Sequence, residues 1–285
     1  MGRFVNPDNS AFQVALNSPI YVDKTELLEY TNSVLNTTEA YICNSRPRRF
    51  GKSYAANMLA AYYSKGCNSE EMFLGLDISR ESDFKTHLNK YDVIHLDIQW
   101  FLANCDDVDN VVAFITKSVQ DELREIYPGI FPDEEISLSE CLSRIRNDVG
   151  QKFIVIIDEW DVLIRDEAAN KKVQEKYFNF LRAMFKGSEP TKYIQLAYLT
   201  GILPIKKEKT QTALNNFDEF TMLDAWVMAP YIGFTEVEVR NLCKRYHRDF
   251  EKVKYLYASY LLGDYQVYNP EVIIDVCMQG KFRSY

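Results

Sequence analysis

Arg46-Pro47-Arg48-Arg49-Phe50-Gly51-Lys52-Ser53 is the stretch on which the fold of this chain turns. Its last three residues have the chemistry of a phosphate-binding loop. Gly51 permits a tight backbone turn, Lys52 reaches terminal phosphates, and Ser53 offers a hydroxyl to Mg²⁺. The general template also places a glycine five residues before Gly51, where this chain has Arg46. The loop is therefore either a variant nucleotide site or a basic turn ahead of an ordinary helix, and its surroundings decide between them.

A phosphate loop follows a buried strand and opens a helix. The run Glu39-Ala40-Tyr41-Ile42-Cys43-Asn44 is short and β-prone, and it precedes the loop. After it, Tyr54, Met58, Leu59, Tyr62 and Tyr63 fall at helical spacing and predict a helix over 53–64. Its N-terminus would aim backbone N–H groups and the positive dipole end at phosphate. The candidate nucleotide-binding residues are thus Arg46, Pro47, Arg48, Arg49, Phe50, Gly51, Lys52, Ser53 and Tyr54.

A second motif lies far along the chain. Lys152-Phe153-Ile154-Val155-Ile156-Ile157 is apolar without alternation, as in a strand buried on both faces of a parallel sheet, and it ends at Asp158-Glu159. A carboxylate at that end of a strand faces the crevice where α/β sheets bind ligands. Asp158 suits the Mg²⁺ side of such a site together with Ser53, and Glu159 suits orienting and deprotonating an attacking water. Alone, the acidic pair also reads as a charged strand-to-loop boundary. A third strand over 193–199 ends at Thr200-Gly201. Thr200 either senses the γ-phosphate or simply turns the chain before Gly201.

These stretches together resemble the AAA-ATPase-like family of bacterial and some eukaryotic proteins. Tyr21-Val22-Asp23-Lys24-Thr25, the loop at 46–53, Ile156-Ile157-Asp158-Glu159-Trp160-Asp161 and Leu199-Thr200-Gly201-Ile202 carry the resemblance. Leu214-Asn215-Asn216-Phe217, the run at 233–239, Tyr268-Asn269-Pro270 and Gly280-Lys281-Phe282 extend it. In that family Arg-Pro-Arg-Arg-Phe-Gly-Lys-Ser is the usual loop, so Arg46 departs only from the general template. The family often carries a further C-terminal nuclease-like domain, for which this stretch of sequence has no room, and nuclease activity is not carried over.

Element order then reads strand, loop, helix, strand, helices, acidic strand, helix, strand. That order predicts an α/β three-layer P-loop NTPase sandwich with a parallel sheet. A second strand is expected over 92–98, helices over 108–127, 137–149 and 170–185, and a fifth strand near 219–223. Pro128 and Pro132 separate the first two of those helices. In 1–38, Thr25 or Asp23 would cap a short helix; Tyr21, Asp23 and Lys24 either cover the nucleotide base or belong to that capped helix. From Gly233 the pattern changes. Thr235 with Glu238 forms a capping box, and helices are expected to His247, through Tyr260 and from Pro270. The expected division is a core over 1–232 and a small, mostly helical lid over 233–285.

Composition narrows the function. At 47% hydrophobic over 285 residues the chain can bury a sizeable core. A net charge of −8 disfavours general nucleic-acid or acidic-membrane binding. No apolar run suits a membrane span or a signal peptide, and the six cysteines lack Cys-x-x-Cys spacing, so a reduced, cytoplasmic protein is expected. The reading is Mg²⁺-dependent binding and hydrolysis of ATP as a conformational switch, with a protein partner or self-association. The alternatives are a nucleotide-gated module with little turnover and a small-molecule P-loop kinase. Arg46, Arg48 or Arg49 could serve as an arginine finger.

Overall fold

The computed structural model describes residues 2–130, 136–166, 170–205, 214–257 and 259–280. Five strands form one parallel sheet: β1 (Tyr41–Ser45), β2 (Asp92–Asp97), β3 (Phe153–Asp158), β4 (Ile194–Gly201) and β5 (Asp218–Phe220), in the order β2-β3-β4-β1-β5. Every residue of β1, β3 and β4 is buried. Both faces of the central sheet are therefore covered, which makes a three-layer α/β domain and explains the unbroken apolar run of β3. The chain is an α/β protein of the expected class, and the strand at 219–223 appears two residues shorter, as β5.

Strand register sets up the site. Asn44 pairs with Thr200, Thr200 with Asp158, and Asp158 with Asp97. All four strand ends thus share one edge of the sheet, beside the loop that leaves β1.

The helix after the loop, Lys52–Tyr63, is buried on most of its surface rather than along one stripe. The Ser10–Leu16 segment packs over it, and Phe12 of that segment stacks on Phe73 at 5.1 Å between ring centroids. Such burial is tolerable because its tyrosines are satisfied: Tyr63 Oη donates to Asn32 Oδ1 at 2.8 Å and Tyr62 Oη to the Phe84 carbonyl at 3.0 Å.

The C-terminal part departs from the expected string of helices. The helix Phe250–Leu256 stops short, and Tyr260 lies instead in β7 (Tyr260–Leu262), which turns through Gly263-Asp264 into β8 (Tyr265–Tyr268). With β6 (Phe234–Thr235) these make a small antiparallel sheet in the order β6-β8-β7. Gly263 at φ 58° supplies the left-handed residue that such a two-residue turn requires. Helices Glu236–Arg245 and Pro270–Gln279 flank the sheet, the first opened by the Thr235/Glu238 capping box. Val239, Leu242, Val253, Tyr268, Ile273 and Val276 belong to a second buried cluster, which Ile20 joins from the N-terminal segment and against which the partly buried Val22 packs. Lys281 and Phe282, like Pro132, lie outside the described residues. Among the described residues, no helix is long and apolar enough to cross a membrane.

Candidate nucleotide site

Gly51 stands at the N-cap of Lys52–Tyr63 with φ 90°, and Arg49 two residues earlier is also left-handed at φ 68°. A Cβ at Gly51 would meet nothing within 4 Å, so backbone conformation and not space calls for glycine there. The loop they shape opens on a cavity of about 430 Å³ lined by Arg48, Lys52, Ser53, Asp158, Glu159 and Arg165, with Asp97 and Gln99 beside them. Helix, loop, β2 end and β3 end therefore converge on one space.

The charged groups in this space hold one another. Lys52 is buried; its Nζ donates to the Pro47 carbonyl at 3.1 Å and lies 3.7 Å from Glu159 Oε1. Desolvation pushes its pKa down, against the pull of Glu159 and Asp158. Asp158 is pushed up to about 6, chiefly by burial and further by the charges of Asp97 and Glu159, although hydrogen bonds from the Ser53 hydroxyl and the Glu159 N–H act the other way. A buried carboxylate of raised proton affinity beside a serine hydroxyl is a hard-oxygen donor set that suits Mg²⁺. Glu159 occupies the left-handed region at φ 50° and pairs through Oε2 with Arg165 Nη2 at 2.6 Å.

Four expected site residues do not line this cavity: Pro47 only offers its carbonyl to Lys52, Phe50 is buried beside it, and Arg46 and Thr200 are placed elsewhere. Arg46 is fully buried and turned away from the cavity: its guanidinium donates to the carbonyls of Ser45 at 3.0 Å, Phe220 at 3.1 Å and Met228 at 3.4 Å. Burial lowers its pKa to about 10. The bulky cation that stands where the template has glycine is thus accommodated by pointing behind the loop, where it ties the exit of β1 to β5 and the turn that follows. Thr200 is also fully buried; its Oγ1 donates to the Asn44 carbonyl at 3.2 Å, and it does not line the cavity. Its hydroxyl is spent on the neighbouring strand instead of facing a phosphate.

A second cavity of about 590 Å³ adjoins the first, with Arg49, Gly51 and Tyr54 on both. Its walls are largely apolar: Ile20, Tyr21 and Val22 from the N-terminal segment, Phe50 and Ala55 from the loop and helix, and Ile274 and Met278 from the last helix. Of the three residues considered for the base, Tyr21 and Lys24 line this cavity and Asp23 does not. Asp23 instead accepts from the Thr25 and Asp77 backbone N–H groups, both at 2.9 Å or less. Thr25 makes no cap bond to the helix Glu26–Val34, because its hydroxyl donates to Asp23 at 2.8 Å and accepts from Ile78 N–H at 3.1 Å. Lys24 Nζ reaches Glu238 at 2.6 Å and Arg49 reaches Glu271 at 2.6 Å, so two ion pairs bind the C-terminal part to the rest across this cavity.

Asp97, Gln99 and Arg165 were not singled out from sequence. Asp97 had a visible signal, an acid closing a predicted strand as Asp158 does. Arg165 had none, since only the turn after β3 brings it back to Glu159.

The sequence profile of the AAA-ATPase-like family, described as predicted AAA-ATPase, matches residues 11–210. The chain belongs to this family. A curated relative of this AAA-ATPase-like protein, "Uncharacterized protein in vnfD 5'region" from Azotobacter chroococcum mcd 1, is 22% identical over 272 residues, covering 93% of this chain. The chain spans about half (49%) of that relative's length. Among solved structures it is similar to C. elegans PCH-2, with 13% identity, a TM-score of 0.39, and coverage of 94% of this chain and 62% of that one. It is also similar to the ORC2 protein of Aeropyrum pernix, described in ADPNP-ADP complexes, with 11% identity, a TM-score of 0.38, and coverage of 83% and 50%.

Proposed function

We propose that this AAA-ATPase-like protein binds ATP with Mg²⁺ and hydrolyses it, and that the cycle moves residues 233–285 as a lid against the core 1–232. One observation carries the reading. Lys52, Ser53, Asp158 and Glu159, from separate elements, converge on a cavity at a helix N-terminus that opens past Gly51 into an apolar cavity. The second space, at about 590 Å³, falls in the size range of small-ligand pockets and has aromatic walls suited to a base.

In this reading the N–H groups of 51–53 and the helix dipole receive the phosphates. Lys52 exchanges the Pro47 carbonyl for a phosphate oxygen, and Arg48 and Arg49 add positive charge at the cavity rim. Ser53 and Asp158 would hold Mg²⁺, which supplies charge neutralisation on the phosphate oxygens. Glu159 orients water in line with the γ-phosphorus and accepts its proton while the bond to the ADP oxygen breaks. The Lys24–Glu238 and Arg49–Glu271 pairs bridge the two parts and give occupancy a route to lid position.

The test is nucleotide titration and phosphate release. Lys52→Ala should lose ATP binding, whereas Glu159→Gln should retain it and turn over about 10²-fold or more slowly. ATP binding by Lys52→Ala equal to the parent's overturns the assignment. Tight binding by the parent without phosphate release would instead mark a nucleotide-gated module, and loss of ATP only with an acceptor present would mark a kinase.

A further inference from the structure

Arg165 ends the one-turn helix Val162–Arg165 and stands in the wall of the phosphate cavity, and no step above uses it. Its side chain is 13% exposed and makes two close ion pairs, Nη2 to Glu159 Oε2 at 2.6 Å and Nε to Asp161 Oδ2 at 3.0 Å. Asp161 is fully buried, and the same Oδ2 accepts from the N–H groups of Leu203 at 2.8 Å and Ile202 at 3.2 Å, just past β4. A relay of contacts thus runs from the exit of β4 through the buried Asp161 and the partly exposed Arg165 to Glu159.

The two oxygens of Glu159 are partnered differently. Oε2 is clamped by Arg165, while Oε1 faces Lys52 Nζ at 3.7 Å, beyond hydrogen-bond distance. Lys52 has its own bond to the Pro47 carbonyl. When a phosphate draws Lys52 away, Oε1 becomes the open atom and Oε2 stays held. A carboxylate fixed through one oxygen presents the other in a single direction, and orienting an in-line water requires that restriction. Glu159 sits at φ 50°, an uncommon conformation for a side-chain-bearing residue, so its direction depends on what surrounds it.

We propose that Arg165 is a positioning residue for Glu159: anchored on Asp161, it holds Oε2 so that Oε1 faces the attacking water. The inference rests on the ATP reading of the same cavity. Arg165 acts through the glutamate and not on the nucleotide.

The experiment is a mutant cycle on the full chain, with ATP affinity and saturating turnover measured separately. Arg165→Met should lower kcat by about 10- to 100-fold while the Kd for ATP stays within about 3-fold, because a positioning group acts on the chemical step. Arg165→Lys, which keeps a cation of lesser reach, should recover part of the loss. In the Glu159→Gln background, Arg165→Met should cost almost nothing further, as expected of residues acting as a unit. If the two substitutions multiply, or if Arg165→Met weakens ATP binding about tenfold or more with kcat intact, Arg165 does not act through Glu159 and the inference fails. Should Arg165→Met not fold, Arg165→Lys and Arg165→Gln make the same comparison. A parent that neither binds nor hydrolyses ATP overturns the reading of the whole cavity and the inference with it, whereas a hydrolysing parent with multiplicative losses overturns the inference alone.

Discussion

Asp158 carries a stability burden that its substitution should relieve. Its carboxyl is raised from 3.8 to about 6, chiefly by burial. Each tenfold change in proton affinity is worth about 1.4 kcal/mol, so the ionised form costs the folded state about 3 kcal/mol above pH 6. The sign follows from the raised value. The folded protein binds the proton more tightly than the unfolded chain, so stability is fully present below the unfolded pKa of 3.8 and is lost as pH rises through about 6. Asp158→Asn removes the charge and keeps an oxygen for the Glu159 N–H, now 3.0 Å from Oδ1. The new amide hydrogens have no assured partner and cost about 1 kcal/mol. The variant should therefore be about 2 kcal/mol more stable than the parent at pH 7.5 without metal, or about 3 °C in Tm for a chain of this length. By urea unfolding the advantage should shrink toward zero at pH 4.5. A variant less stable at pH 7.5, or an advantage that does not change with pH, would refute the claim that the desolvation of an ionised carboxylate dominates this position.

Arg46→Met should lower stability by about 2–4 kcal/mol in urea unfolding, since it strips donors from the buried Phe220 and Met228 carbonyls, yet leave ATP affinity in the folded fraction unchanged. Gly201→Ala would place a Cβ 2.5 Å from Asp161 Oδ1 and 2.8 Å from the Trp160 ring, and thermal melts should show a loss of about 1–3 kcal/mol. Arg49→Ala breaks a pair whose side chains are 65% and 38% exposed, so stability should move by less than about 1 kcal/mol; affinity for ATP should fall more than affinity for adenosine, measured by titration.

Much of the core was legible because its signals are local. An apolar run closed by an acid, as at 152–158, is the pattern of a strand buried on both faces, and a Gly-Lys-Ser turn before a helical pattern suits a phosphate loop after a strand. The capping box at Thr235 and Glu238 was readable for the same reason, its partners lying three residues apart. The hairpin at 260–268 was missed although Gly263-Asp264 is a turn signal, because the tyrosine-rich flanks fit a helix as well as a strand.

The sequence by itself determined the strand order's ingredients, the phosphate loop and the carboxylates that face it, since each depends on neighbours within a few residues. Only the tertiary structure decided where long side chains went. Arg46 found carbonyls near 220 and 228 and so left the site, Thr200 bonded Asn44, and Arg165 turned back onto Glu159. A buried guanidinium or hydroxyl must satisfy its donors wherever acceptors lie; for Arg46 and Thr200 those acceptors come from strands and turns distant in sequence, and for Arg165 they are near neighbours that only the turn after β3 brings within reach.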